Sequence, residues 1–259
     1  MKRILYVLSV GFLALTSCSK DDNMPNKQDS SKPAPVLVQR ETYIVGDKVT
    51  NTRISYEGNK ISNSISSGER VFKFTYTEDF ITKSESFDKN GKLESTTEYT
   101  YEKGKLVTKI RKEGAESEFY YKTQYTHNGS TQIGFKNFIV TAATQEEEEY
   151  GSAGKYTYIN GNLVNIESSL DGKDSITTFE YDTNNNPYIN IKGYNLLVGE
   201  NTSNFNNIVK RTYILKETIS EPRLTTYVYK YNTKNYPTEL TISYHAEDSV
   251  STETTLFSY

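Results

Sequence analysis

Aromatic residues two positions apart, separated by a polar residue and recurring along most of the chain, restrict this sequence more than any other feature. The stretch Thr97 to Lys109 (TEYTYEKGKLVTK) shows the unit. Two rings are followed by a short polar turn containing Gly, and an apolar residue then opens a second extended run. Successive side chains of a strand point to opposite faces, so this spacing puts both rings on one side. The unit reads as a β-hairpin. Related copies run Arg53 to Ile61, Phe72 to Tyr76, Lys155 to Leu163, Phe179 to Asp182 and Tyr227 to Asn232. Their anchor tyrosines 56, 76, 101, 158, 181 and 231 recur at roughly 20 to 50 residues, usually near 25, the order expected of a repeated supersecondary unit.

Further pairs with the same alternation include Leu240/Ile242/Tyr244 and Phe257/Tyr259, and the positions between rings are mostly polar, such as Arg53, Lys73, Thr100, Glu180 and Lys230. One face apolar and one face wet is the pattern of antiparallel rather than parallel sheet. Asn90-Gly91, Lys103-Gly104, Asn128-Gly129, Asn160-Gly161 and Asp171-Gly172 supply the positive-φ residues of tight hairpin turns. A twisted sheet of that many strands tends to curl or split. The sequence therefore predicts an all-β domain over residues 36–259: a large curved antiparallel meander of about a dozen or more strands, barrel-like or two-layer, built from repeated hairpins.

Two stretches break the rhythm. Thr141 to Gly154 carries four consecutive glutamates, Glu146 to Glu149, and Asn190 to Asn207 contains Leu196-Leu197-Val198 in an Asn-rich setting. The first reads as a solvated charged loop. The second should seek burial, as a cap over an open end of the sheet or a lid.

The N-terminus carries an address. Lys2 and Arg3 precede the apolar run Ile4 to Leu15, the order of a secretory signal, and that run is too short to span a bilayer. Leu15-Thr16-Ser17-Cys18 resembles the lipobox of bacterial lipoproteins, which implies cleavage of residues 1–17 and acylation of Cys18, the single cysteine. Two or more acyl chains hold a protein on a membrane durably where one does not. Residues 18–35 are polar and proline-containing, a disordered tether. Within them Lys20, Asp21 and Asp22 resemble the export signal of Bacteroidota lipoproteins, implying the outer face of the outer membrane rather than its periplasmic face. Removing residues 1–17 takes away two cations and no acid, so the net charge goes from −3 to −5. That balance offers no footprint for nucleic acid.

From leader to C-terminus the chain resembles Bacteroidota lipoproteins of porin-like β fold, which implies a large, curved or barrel-like antiparallel sheet and carries no activity with it. The hairpins Tyr181-Asp182 and Asn160-Gly161-Asn162-Leu163 are similar to the YD-type repeats of bacterial Rhs and wall-associated proteins. The ending Leu256-Phe257-Ser258-Tyr259 resembles the terminal aromatic signal of outer-membrane barrels. Membrane strands need about 9–11 residues and a lipid-facing apolar band, whereas these alternating runs look nearer six and are rich in charge. Asp174-Ser175-Ile176 and Asp248-Ser249-Val250 resemble Bacteroidota O-glycosylation acceptors, implying sugar on Ser175 and Ser249.

Little else carries chemistry. His127 and His245 are the two histidines, each without a neighbouring His or Cys, so a zinc site or a Ser-His-Asp triad has little to draw on, and both read as surface or turn residues. No spacing among the acids selects a carboxylate pair for glycoside hydrolysis, and no Gly-rich phosphate loop is present. The tyrosines alternate as packing residues should. The expectation is a binding or scaffold module, not an enzyme, without cofactor, held to a membrane by its N-terminal lipid and engaging a glycan or protein ligand. A lipid or glycan carrier with an interior cavity, and a glycan hydrolase using a carboxylate pair, are the alternatives.

Overall fold

A computed structural model of the chain describes residues 34–216, 221–246 and 249–259. The leader, Cys18, Lys20, Asp21 and Asp22 lie outside the described residues, as does Asp248. Residues from Pro35 onward form one compact unit.

The chain crosses back and forth in seventeen strands. The first six are β1 (Arg40–Val45), β2 (Lys48–Glu57), β3 (Lys60–Ser66), β4 (Val71–Thr77), β5 (Phe80–Phe87) and β6 (Leu93–Glu102). Next come β7 (Lys105–Glu113), β8 (Phe119–Asn128), β9 (Gln132–Thr141), β10 (Glu147–Glu149), β11 (Ala153–Ile159) and β12 (Asn162–Leu170). The last five are β13 (Lys173–Asn185), β14 (Asn206–Leu215), β15 (Arg223–Tyr231), β16 (Pro237–Ala246) and β17 (Ser249–Ser258). Every pairing is antiparallel, and apart from β10 and β11 each strand pairs with its neighbours in sequence. The meander closes because β17 returns to β1, with Arg40 opposite Ser258 and Ile44 opposite Thr254. Both β10 and β11 lie beside β9 and share one place in the wall, so the barrel is sixteen strands around.

Two details differ from the sequence reading. The strands commonly run to ten residues rather than six, because the ladder continues past the rings into Ser- and Thr-rich segments that periodicity of apolar residues does not mark. Part of the glutamate run is strand, not loop: Glu147, Glu148 and Glu149 sit opposite Val140, Ile139 and Phe138. Turn chemistry agrees with expectation. At the β11–β12 corner Asn160 and Gly161 have φ of 51° and 78°, both positive, as a two-residue turn matched to strand twist requires.

Residues opposite one another in the ladder share a face, so the inner surface can be followed around the wall. Ile54, Tyr56, Phe74, Tyr76, Tyr99, Tyr101, Tyr125, Phe135, Tyr156, Phe179, Tyr181, Tyr229 and Phe257 all point inward, and they gather toward one end of the barrel. At that end several of these rings are tied to the neighbouring hairpin. Tyr56 donates to Val38 O at 2.7 Å, Tyr101 to Ile81 O at 2.9 Å, Tyr181 to Leu163 O at 2.6 Å and Tyr259 to Pro237 O at 2.8 Å. Tyr76 Oη accepts from Ile61 N at 3.2 Å. His127 takes the same place on β8, its Nε2 2.8 Å from Leu106 O. It is an inward, partly buried anchor rather than the surface histidine expected. His245 lies on the exposed face, beside Thr226 Oγ1 at 3.0 Å.

The segment between β13 and β14, residues 186–205, fills this end as a plug. Ile191 packs with Val38, Ile54, Ile61 and Phe257, and Val198 with Leu106, Tyr125 and Phe135, so one short segment touches opposite parts of the wall. Its own backbone lacks a ladder, and asparagine side chains supply the missing partners. Asn204 Oδ1 accepts from Leu163 N at 2.8 Å, Asn162 Oδ1 accepts from Phe205 N and Asn206 N at 2.9 Å each, and Asn190 Nδ2 donates to Val36 O at 2.9 Å. Buried backbone groups are paired in this way almost without exception, which accounts for the asparagine content of the segment. The chain leading into β1 is anchored at the same end, with Val38 buried and Gln39 N donating to Ser258 O at 2.7 Å.

Candidate functional site

The opposite half of the barrel interior is built from other residues. Continuing along the inward faces, β3 and β5 present Ser64, Ser66, Ser84 and Ser86, β6 presents Ser95 and Thr97, and β13 presents Ser175 and Thr177. Short hydroxyl side chains line this part of the wall, several of them buried, and some bond to one another across strands: Ser86 to Ser95 at 3.0 Å and Ser168 to Ser175 at 2.9 Å. Closing sixteen strands makes a barrel too wide for side chains alone to fill.

Against this polar lining stand inward rings near the mouth. Tyr43, Phe72, Tyr121, Tyr150 and Tyr244 belong by register to the inner surface, yet each is between 38% and 52% exposed. An inward ring that remains wet requires an open vestibule. Tyr121 and Tyr150 pack tilted, with centroids 5.6 Å apart. Tyr244 donates to Glu253 Oε2 at 3.1 Å, and the Arg223 guanidinium lies 5.9 Å from the Tyr213 ring centroid. A hollow of about 710 Å³ opens here between β14, β15 and β16, bounded among others by Arg211, Tyr213, Arg223, Thr225 and Tyr244.

Deeper, between the plug and the inner faces of β1 and β15 to β17, lies a second hollow of about 290 Å³. Glu41 reaches it from β1, and its Oε1 accepts from Tyr188 of the plug at 2.8 Å. Burial raises the Glu41 pKa above the ordinary carboxylate value, while the Tyr188 bond pulls the other way. Burial first, and the neighbouring Glu41 charge second, hold the Tyr188 phenol neutral far beyond its usual range. Below the hollow, Asp182 is held by Asn207 N at 3.1 Å, by Asn184 N at 3.0 Å and by the Tyr231 hydroxyl, a structural knot at the foot of the plug.

The two acceptor-like serines fall in different places. Ser175 sits on the inner wall with its hydroxyl engaged by Ser168, whereas Ser249 lies exposed at the start of β17 near the mouth. Neither histidine meets the lumen carboxylate Glu41, and no group of metal-binding side chains converges among the described residues. Glu41 was not singled out by the sequence, where it is one acid among 33. The signal that could have found it is its register: it sits opposite Phe257 on the apolar side of an alternating strand.

The outer face is charged. Lys122 pairs with Glu147 at 2.6 Å, Lys136 with Glu149 at 2.7 Å, Lys155 with Glu167 at 3.1 Å, Lys210 with Glu180 at 2.8 Å and Lys230 with Glu239 at 2.8 Å. These cross-strand pairs are distributed around the wall. Exposed pairs add little stability, but their presence fixes what the wall can contact. No helix among the described residues is long and apolar enough to cross a membrane.

No family model matches the sequence, and no curated protein resembles it in sequence. Among solved structures, the chain is similar to a porin-like protein from Bacteroides vulgatus ATCC 8482, at 15% identity over 87% of this chain and 99% of that one, with a TM-score of 0.58. A porin-like protein from Bacteroides uniformis ATCC 8492 matches at 13% identity over 87% of this chain and 97% of that one, with a TM-score of 0.55. Likeness at that level of identity extends to the architecture: this chain folds as the porin-like antiparallel barrels of Bacteroides do.

Proposed function

We propose that the protein is a lipid-tethered barrel of the bacterial outer membrane that binds a small ligand in its lumen. The observation that carries this reading is the set of inward rings around the mouth that remain exposed. Rings packed for stability alone would be covered, as those at the plugged end are, whereas rings lining open water supply stacking and apolar contact to a guest. Screening the mature protein against glycans and lipids tests it. A ligand should be found whose affinity falls several-fold in Tyr121→Ala or Tyr150→Ala, and a lumen that binds nothing, or binding indifferent to both changes, would reject the reading in favour of a scaffold.

The attachment rests on Cys18, and the charged outer face supports tethering rather than immersion. A Lys or Arg on the lipid face of a barrel at the bilayer midplane costs about 2–4 kcal/mol, and several lie around this wall. Outer-surface display rests on Lys20, Asp21 and Asp22. Changing these three should reduce antibody labelling on intact cells while leaving the protein membrane-bound. Hydrolysis by two carboxylates is disfavoured at the deeper hollow, where Glu41 is the one acid in the lining. Of the two O-glycosylation motifs, Ser249 is the one whose position suits modification.

A further inference from the structure

The deeper hollow has a recognition chemistry of its own. Rings and alkyl groups make up one part of its wall, with Tyr188 from the plug, Tyr227 and Tyr229 from β15, Leu240 from β16 and Phe257 from β17, and amide and hydroxyl side chains of the plug and of β14 and β17 make up the rest. Into this wall Glu41 brings the lining's single formal charge. Tyr188 gives that carboxylate one hydrogen bond, and among the described residues no lysine or arginine comes within ion-pair distance of it. A carboxylate taken out of water without a countercharge is costly, and its raised pKa is the response to that cost.

A second acceptor in the same wall has no protein donor at all. Asn207 is 1% exposed, and its Nδ2 is committed to the Asp182 carboxylate at 3.3 Å and to Asn185 O at 3.1 Å. That orientation leaves Asn207 Oδ1 buried with no hydrogen-bond partner. Buried polar atoms in folded proteins are rarely left so. Unmet acceptors on a chamber with aromatic walls select a ligand that brings donors and positive charge.

We propose that this chamber takes a small organic ammonium compound, its charged nitrogen against Glu41 and its apolar body among Tyr227, Tyr229 and Phe257. The inference deepens the lumen-binding reading above and rests on it. Aromatic faces attract cations, and the attraction grows where water is excluded. At about 290 Å³ the chamber stands at the small end of ligand pockets, so a single ring with an amine arm is the appropriate size. A metal ion is a poorer occupant, since calcium sites are built on several carboxylates and Glu41 is the one carboxylate in this wall, its other oxygens being amides, hydroxyls and phenols. An anion would meet Glu41 as a like charge.

Calorimetric titration of the mature protein with phenethylamine, benzyltrimethylammonium, 3-phenylpropan-1-ol and 3-phenylpropanoate tests the assignment. Phenethylamine, whose ammonium brings N–H donors as well as charge, should bind best, benzyltrimethylammonium more weakly through charge and ring contact alone, the alcohol about tenfold more weakly than the amine, and the carboxylate not at all. Glu41→Gln should weaken both cations about tenfold and leave the alcohol unchanged. Should that variant fail to fold, Tyr229→Leu makes the same comparison, with the cations losing more affinity than the alcohol. Equal binding of alcohol or carboxylate, cation binding indifferent to these changes, or no binding of either cation would overturn the proposal. Binding of the neutral or anionic probe would sink the ammonium assignment and leave lumen binding standing, which falls only if the wider screen and the mouth variants fail.

Discussion

A single phenolic hydroxyl at the plugged end joins two hairpins that the ladder alone holds only along their length. Removing it from Tyr101 or Tyr181 while keeping the ring leaves the carbonyl of Ile81 or Leu163 without its donor, at a cost of about 1 kcal/mol each. Chemical denaturation of Tyr101→Phe and Tyr181→Phe should show that loss, roughly additive in the double variant because the two sites lie on separate hairpins. His127 occupies the equivalent position, so His127→Tyr should be tolerated and His127→Ala should not. This role was legible in principle: Tyr125-Thr126-His127 repeats the ring-Thr-ring order of Tyr99-Thr100-Tyr101 and Tyr156-Thr157-Tyr158. Reading His127 as a surface or turn residue, without comparing its place with that of the second ring in the other repeats, concealed it. Glu41 gives the opposite sign. Its folded pKa is raised, so stability is greatest with the group protonated and falls as pH rises through the folded value. Glu41→Gln should therefore melt higher than the natural protein at pH 7, with the gap closing as pH is lowered below the ordinary carboxylate range.

Among the elements, the plug departs furthest from anything periodicity can express. The Leu196-Leu197-Val198 run announced burial, and the absence of alternation announced that it is not a strand, but neither says that it enters a closed wall. That knowledge needs the closure, which depends on pairing of β1 with β17 from opposite ends of the sequence. Gly199 shows how tightly the segment is held. Its φ is 80°, its N–H donates to Tyr158 Oη at 2.9 Å, and an added Cβ would lie 3.0 Å from the Tyr156 phenol. Gly199→Ala should cost about 1–2 kcal/mol through the left-handed backbone alone, measurable in a thermal melt. Replacing residues 187–204 by a short Gly-Ser linker removes Ile191, Leu197 and Val198 from the core, each worth about 1.5–3 kcal/mol of burial. The shortened barrel should admit small solutes from both ends, detectable as faster quenching of tyrosine fluorescence by iodide.

At the scale of the whole molecule, tyrosine is the dominant interior residue and sets the alkaline limit of the fold. Burial pushes Tyr76 up to about 12, and it raises Tyr56, Tyr101, Tyr125 and Tyr156 further still. An unfolded chain begins to ionise its phenols near pH 10, whereas the folded one retains their protons. The stability that neutral phenols provide is therefore complete below that pH and is lost as pH rises toward 12 and beyond. Phenolate absorbance should rise late and cooperatively, in step with loss of near-ultraviolet circular dichroism, instead of residue by residue. On the tethered reading proposed above, Cys18→Ala should leave the protein in aqueous buffer without detergent, and a continued need for detergent would mean that the wall itself sits in lipid. Hairpins, turn chemistry and the inward set of rings were all readable from spacing. The vestibule was not, because serines and threonines on an inner face look the same in sequence as those on an outer one.

Sealing of the seam between β1 and β17 must await the final segment of the chain. A polypeptide stopped before Ser249 would retain all its earlier hairpins yet remain an open ribbon with two bare borders, the form in which sheets add to one another and precipitate. The same seam brings the outer ends of the first and last strands side by side. A short peptide joining them, with the chain reopened at Asp171-Gly172, should give a rearranged gene product with the natural contour.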